Sequence, residues 1–155
     1  MFLEEFGPIE AEAFLTLAAE MIEEDGVVTP EENAMLEEYT KALGVIGFTY
    51  DAAATAAARD TLAQLNEVSK RKVYMELYCF AMADGVEAPE QRRALNELRD
   101  ALGLDEVVCA RLEFAADELN SAYESIEAAL DASMDDYYEE KVEEKIAKPA
   151  GDAEE

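Results

Sequence analysis

The chain has no histidine among its 155 residues. That removes the imidazole base, any triad built on one, and the Glu-x-x-His pattern of di-iron carboxylate bundles. Cysteine occurs twice, at Cys79 and Cys109. Both fall in helical patterns without framework spacing, so two reduced, partly buried thiols are expected, with a disulfide between them as the alternative. The apolar helix around Cys79 and the acids near Cys109 both raise a thiol pKa, which argues against a nucleophile. The seven glycines form no phosphate loop. No basic region with an apolar run behind it marks a signal peptide, and no stretch approaches the length of a membrane span, so a cytoplasmic chain is expected. Bases are scarce, 12 Lys and Arg against 38 Asp and Glu, for a net charge of −26. Such a surface repels nucleic-acid phosphate and anionic lipid, and attracts cations and basic partners. The imbalance is uneven: residues 1–58 hold 13 acids and one base, 59–100 hold 8 acids and 7 bases, and 101–155 hold 17 acids and 4 bases.

What is present is apolar patterning and an internal echo. Half the residues are hydrophobic, enough for one domain with a sizeable core. From Asp25 to Gly44, 10 of 20 residues are identical to those 59 positions later, Asp84 to Gly103. Each copy is an apolar segment, an Asp-Gly break, a Pro-Glu start, a second segment and a Leu-Gly stop. That pattern is helix, tight turn, helix, written twice.

Read in order, Phe2, Leu3 and Phe6 form an apolar edge that docks on the core. Gly7-Pro8 opens a helix with Phe14, Leu17, Ala18, Met21 and Ile22 on one stripe. Asp25-Gly26 ends it. Thr29-Pro30-Glu31-Glu32 is a capping box, and Met35, Leu36, Tyr39, Ala42 and Leu43 face inward until Gly44. An alanine-rich helix spans Asp51 to Leu65. Lys70 to Ala83, with Ser69 as N-cap, is apolar around much of its circumference, the pattern of a central helix. Pro89 opens the fifth helix behind Ala88, a start weaker by about 1 kcal/mol than one capped by threonine. Asp105 caps a long sixth helix whose stripe runs through Leu112, Ala115, Leu119, Ala122, Ile126 and Leu130. No segment alternates as a strand does. The predicted fold is all-α, two pseudo-repeated three-helix units (about 9–66 and 69–131) in one bundle over 1–132. An acidic extension over 133–155 follows, with Val142 and Ile146 on a fraying helix, then a disordered end.

The paired Asp-Gly-Val-x-x-Pro-Glu turns, each leading into a helix that ends Leu-Gly, resemble the TerB-like domain family named for tellurite-resistance proteins. The resemblance covers roughly Ala11 to Ala132 and is moderately specific because the motif is doubled. It implies a cytoplasmic, non-enzymatic helical domain of bacterial stress or metal resistance, acting at the membrane face through a protein partner. Its acidic turn positions match Asp25, Glu31, Glu32, Asp84 and Glu90, while Gln91 stands where the second turn usually has another glutamate.

The residues themselves support two candidate sites. At the first turn, Glu23, Glu24 and Asp25 crowd a helix C-terminus, where the macrodipole is already negative. Carbonyls, an aspartate and glutamates make an oxygen-only setting for weak calcium or magnesium binding by Asp25, Glu31 or Glu32, and by Asp84 and Glu90. The simpler reading makes each aspartate a turn former and each glutamate a helix starter. An EF-hand is excluded, since counting from Asp25 puts Val27, Thr29 and Leu36 at the third, fifth and twelfth positions, and counting from Asp84 puts Val86, Ala88 and Leu95 there. The second candidate is basic: Lys70, Arg71, Lys72, Arg92 and Arg93 either bind a partner or anion, or neutralise neighbouring acids. Three functions are thereby expected in decreasing weight: an interaction domain modulated by cations, an acidic divalent-metal buffer, and a carboxylate-metal enzyme.

Overall fold

The computed structural model describes residues 2–23, 26, 28–83, 85 and 87–132. Among them are six α-helices and one short 3-10 turn, and no strand: α1 Pro8–Glu23, α2 Pro30–Ala42, the 3-10 turn Ala52–Ala54, α3 Thr55–Ala63, α4 Glu67–Ala81, α5 Pro89–Leu102 and α6 Glu106–Asp131. No helix among the described residues is long and apolar enough to cross a membrane. The chain divides into two compact units, Met1–Ala116 and Asp117–Glu155, and the division falls within α6.

Local chemistry sets most helix ends where the sequence places them. Pro8, Pro30 and Pro89 each occupy a first helical position, where the missing N–H costs nothing. Asp105 caps α6, its Oδ1 accepting from the backbone N–H of Val107 at 2.8 Å. The start of α4 differs from expectation: the cap is Asn66, whose Oδ1 accepts from Ser69 N–H at 2.9 Å, and Ser69 lies buried in the first turn. The alanine-rich segment begins as a 3-10 turn, with Asp51 accepting from Ala53 N–H at 2.9 Å, before α3 proper.

In the first unit, α1 packs on α2, α3 and α4, and α5 packs on α3 and α4. Both α1 and α4 are central, and α1 is the more enclosed of the two. Ten of its 16 residues are buried, among them Ala11, Ala13, Ala18 and Ala19. Small side chains there, and Ala58 on α3, let the two helix backbones approach closely. A stripe of large residues signals α4 in the sequence, whereas alanines on several faces carry little signal. Phe14, Leu15, Leu62, Val73, Leu77 and Leu95 are fully enclosed, each contributing about 1.5–3 kcal/mol of burial. Leu3 is fully enclosed too, with Phe6 packed partly against the core, so the N-terminal edge docks while Phe2 stays exposed.

Two helices bury less than their stripes suggest. On α2 only Glu32 and Tyr39 are buried, with Met35, Leu36 and Leu43 half-covered and Ala42 exposed. On α6 only Cys109 and Ala116 are buried.

Candidate functional site

The two corners carry the sequence's first candidate site. Gly26 and Gly85 both adopt left-handed backbone, φ 73° and 77°, which side-chain-bearing residues avoid. At α2 the capping box is complete: Glu32 N–H donates to Thr29 Oγ1 at 3.2 Å, and Glu32 Oε2 accepts from Thr29 N–H at 2.9 Å and from Thr29 Oγ1 at 3.0 Å. At α5 half the box forms, because Ala88 has no acceptor; its N–H donates to Gln91 Oε1 at 3.0 Å.

The corners meet through their third helical residues. Gln91 Nε2 donates to Glu32 Oε1 at 3.0 Å, and both side chains are 2% exposed. These residues are 59 apart, the offset of the internal echo. The carboxylate of Glu32 therefore accepts three hydrogen bonds inside the protein and faces the N-terminal dipole of its own helix. It acts as a helix cap and an interhelical tie, with both oxygens engaged. Glu31 is exposed, and neither its side chain nor that of Glu90 makes a hydrogen bond or ion pair among the described residues. Asp25 and Asp84 lie outside the described residues, as does the extension over 133–155. Among the described residues, no group of three or more Asp, Glu or Cys is placed to hold a metal ion.

The basic candidate resolves into separate pairings. Arg92 donates from Nε to Glu87 at 2.6 Å and from Nη1 and Nη2 to Glu113 at 2.8 and 3.2 Å. Its guanidinium lies 5.9 Å from the centre of the Tyr78 ring. Glu87 and Glu113 hold the Arg92 pKa above its already high ordinary value. Tyr74 donates to the same Glu113 at 2.5 Å, and burial, then this bond, raises its phenol pKa. Arg71 pairs with Glu67 one helical turn away at 3.1 Å, although its buried Nε has no partner. Lys72 reaches Glu5 at 2.6 Å and holds that carboxyl below its usual range. Lys70 is half-buried and Arg93 exposed.

One buried acid escapes the sequence analysis. Glu76, 3% exposed on α4, accepts from Tyr39 Oη and from the backbone N–H of Phe2. Burial, then this bond, raises the Tyr39 phenol pKa. Tyr39 also stacks on Phe14, centroids 5.5 Å apart, and tilts against Phe80 at 4.8 Å. The signal was available, since Glu76 lies three residues beyond Val73 and four before Phe80, on the stripe those residues define.

Two concavities lie among the described residues of the first unit. One, about 310 Å³, is lined by Leu36, Glu37, Thr40, Lys41, Val45 and Phe48. Another, about 220 Å³, lies beside Leu3, Phe6 and Leu43. Both cysteines are free, and burial pushes the Cys109 thiol pKa up.

The second unit presents a different surface. On the part of α6 from Asp117 to Asp131, Leu119, Tyr123, Ile126 and Leu130 follow a 4-3-4 spacing and are 50, 60, 56 and 79% exposed. That is the seam of a coiled-coil helix. Of the stripe expected from the sequence, Leu112 is half-buried and Ala115, Leu119, Ala122, Ile126 and Leu130 are exposed.

Comparisons with protein families, with characterised proteins and with solved structures find no match to this chain.

Proposed function

We propose that this chain is a non-enzymatic helical interaction domain of the TerB-like type, and that its working surface is the outward seam of α6. The observation that carries the reading is the exposure of Leu119, Tyr123, Ile126 and Leu130 in heptad register. Single exposed apolar residues are ordinary on any surface, but four aligned on one helix face make a contiguous strip of the kind that marks an association site. The strip lies in a chain too acidic to approach nucleic acid or anionic lipid, which leaves proteins as partners. The 59-residue echo and the Glu32–Gln91 tie support the TerB-like, pseudo-repeated reading of the first unit. In that reading the unit is a cytoplasmic scaffold. Calcium or magnesium enters as a modulator through Asp25 and Glu31, and through Asp84 and Glu90, because Glu32 is already consumed as a cap and tie.

Position-specific photo-crosslinking tests the reading in the full chain within a native cytosol. A photoreactive amino acid in place of Tyr123 is expected to give discrete protein adducts. The same group in place of Ser121, on the opposite helix face, is expected to give none. Equal labelling from both positions, or none from either, overturns it.

A further inference from the structure

Resting on that reading, we infer that the α6 seam receives a basic amphipathic helix from another protein, rather than a second copy of this chain. From Asp117 to Asp131 there are five acids and no Lys or Arg. At about 100° per residue, the arrangement around the seam is lopsided. Glu127, Asp131 and Glu124 fall on one side, and Ala122, Ala129 and the single acid Glu118 on the other. The alanine side admits a close-packed neighbour. The acidic side asks that neighbour for Lys or Arg along one edge.

A second copy fits poorly, because Asp117 to Asp131 holds five acids and no Lys or Arg, so a like helix on the seam offers Glu127 and its acidic edge no cation. The copies would also bring two chains of net charge −26 together. Exposed ion pairs are individually weak, so the apolar seam supplies most of the affinity. The acidic edge supplies selectivity and encounter rate. The partner segment is thus defined by its chemistry: apolar residues in heptad register, with cations on the edge that meets Glu127 and Glu124.

Synthetic helical peptides of about three heptads, binding the full-length chain, provide the test. Three share one Leu/Ile seam and carry Lys, Gln or Glu at the flanking positions; a fourth has the Lys peptide's composition with its period scrambled. In about 0.15 M salt the Lys peptide is expected to bind at least about 10-fold tighter than the Gln peptide, with the Glu peptide weakest. The gap should narrow in about 1 M salt, where screening is nearly complete. The double variant Leu119→Ser, Ile126→Ser should lose binding by about 10-fold or more while unfolding at the same denaturant concentration. Equal binding of the Lys and Gln peptides overturns the basic-partner assignment yet leaves an interaction seam standing. Equal binding of the scrambled peptide reduces the effect to bulk charge and overturns the assignment as well. Binding of none by a monomeric chain removes the seam reading too. A dimer in sedimentation that the double variant abolishes makes the occupant a second copy instead.

Discussion

Gln91 is one residue at which the two corners stop being equivalent, and its amide is used at both ends. The oxygen caps Ala88 N–H, and the nitrogen donates to the buried Glu32. A glutamate in its place would set two buried carboxylates against each other. Gln91→Glu is therefore expected to cost about 2–4 kcal/mol at neutral pH. Stability should recover on acidification, as a shared proton restores a donor. Urea unfolding of both proteins across pH measures this; a variant equally stable at every pH would contradict the geometry. The tyrosines make the opposite prediction for base. Burial and a carboxylate partner raise the phenol pKa of Tyr39 and Tyr74 in the folded state. Folded-state pKa values above the unfolded value of about 10 mean that the unfolded chain gives up these protons first. Stability should hold below about pH 10, then fall by up to about 1.4 kcal/mol per pH unit for each group. Tyr39→Phe should flatten that fall, read as denaturant midpoint beside tyrosinate absorbance. At this scale the sequence is half legible. Gln91 stands out as a departure from the echo, but the partner that explains it is 59 residues away, beyond the reach of any local period. The place of Glu76 on the apolar stripe of α4 marks it for burial, but its partner Tyr39 is 37 residues away and no local pattern names it.

Helix boundaries were the readable part of each element, and buried faces the less readable part. Proline at the first turn, an Asp-Gly break and Asp105 as a cap act within a few residues of where they stand, so they locate α1, α2, α5 and α6 closely. Which stripe meets another helix depends on distant segments. The apolar pattern of α2 leaves mostly Tyr39 covered, and that of α6 beyond Ala116 covers no residue. Sequence and structure agree about the unequal caps. Thr29 and Ala88 share nearly the same extended backbone, φ −80°, ψ 155° and φ −75°, ψ 148°, yet only Thr29 has an oxygen to offer. Ala88→Thr should stabilise the protein by about 1 kcal/mol, and Thr29→Ala should cost a similar amount or more, because it also strips a hydroxyl donor from Glu32. Chemical denaturation of the two single variants distinguishes cap chemistry from any other effect of the added side chain. Stabilisation from neither direction would contradict the assignment of N-caps.

Over the whole molecule, charge and packing follow different divisions. Helices α3, α4 and α5 carry the nearly neutral middle stretch, where Arg59 pairs with Glu20 at 3.0 Å and Arg92 with Glu87 and Glu113. Net negative charge accumulates along the chain in residues 1–58 and 101–155. Fold class was legible because helical period and absent strand alternation are properties of the whole string. The function of the acidic surface was not, since composition treats a solubilising coat and a docking edge alike. The tie between the corners has one more implication, for any attempt to make the molecule symmetric. A hydrogen bond has a direction, and this one runs from amide to carboxylate. Doubling the earlier corner would place acid against acid in a dry setting. Doubling the later one would face amide with amide, each able both to give and to accept. The asymmetry at one pair of positions thus decides which half could serve as its own mate.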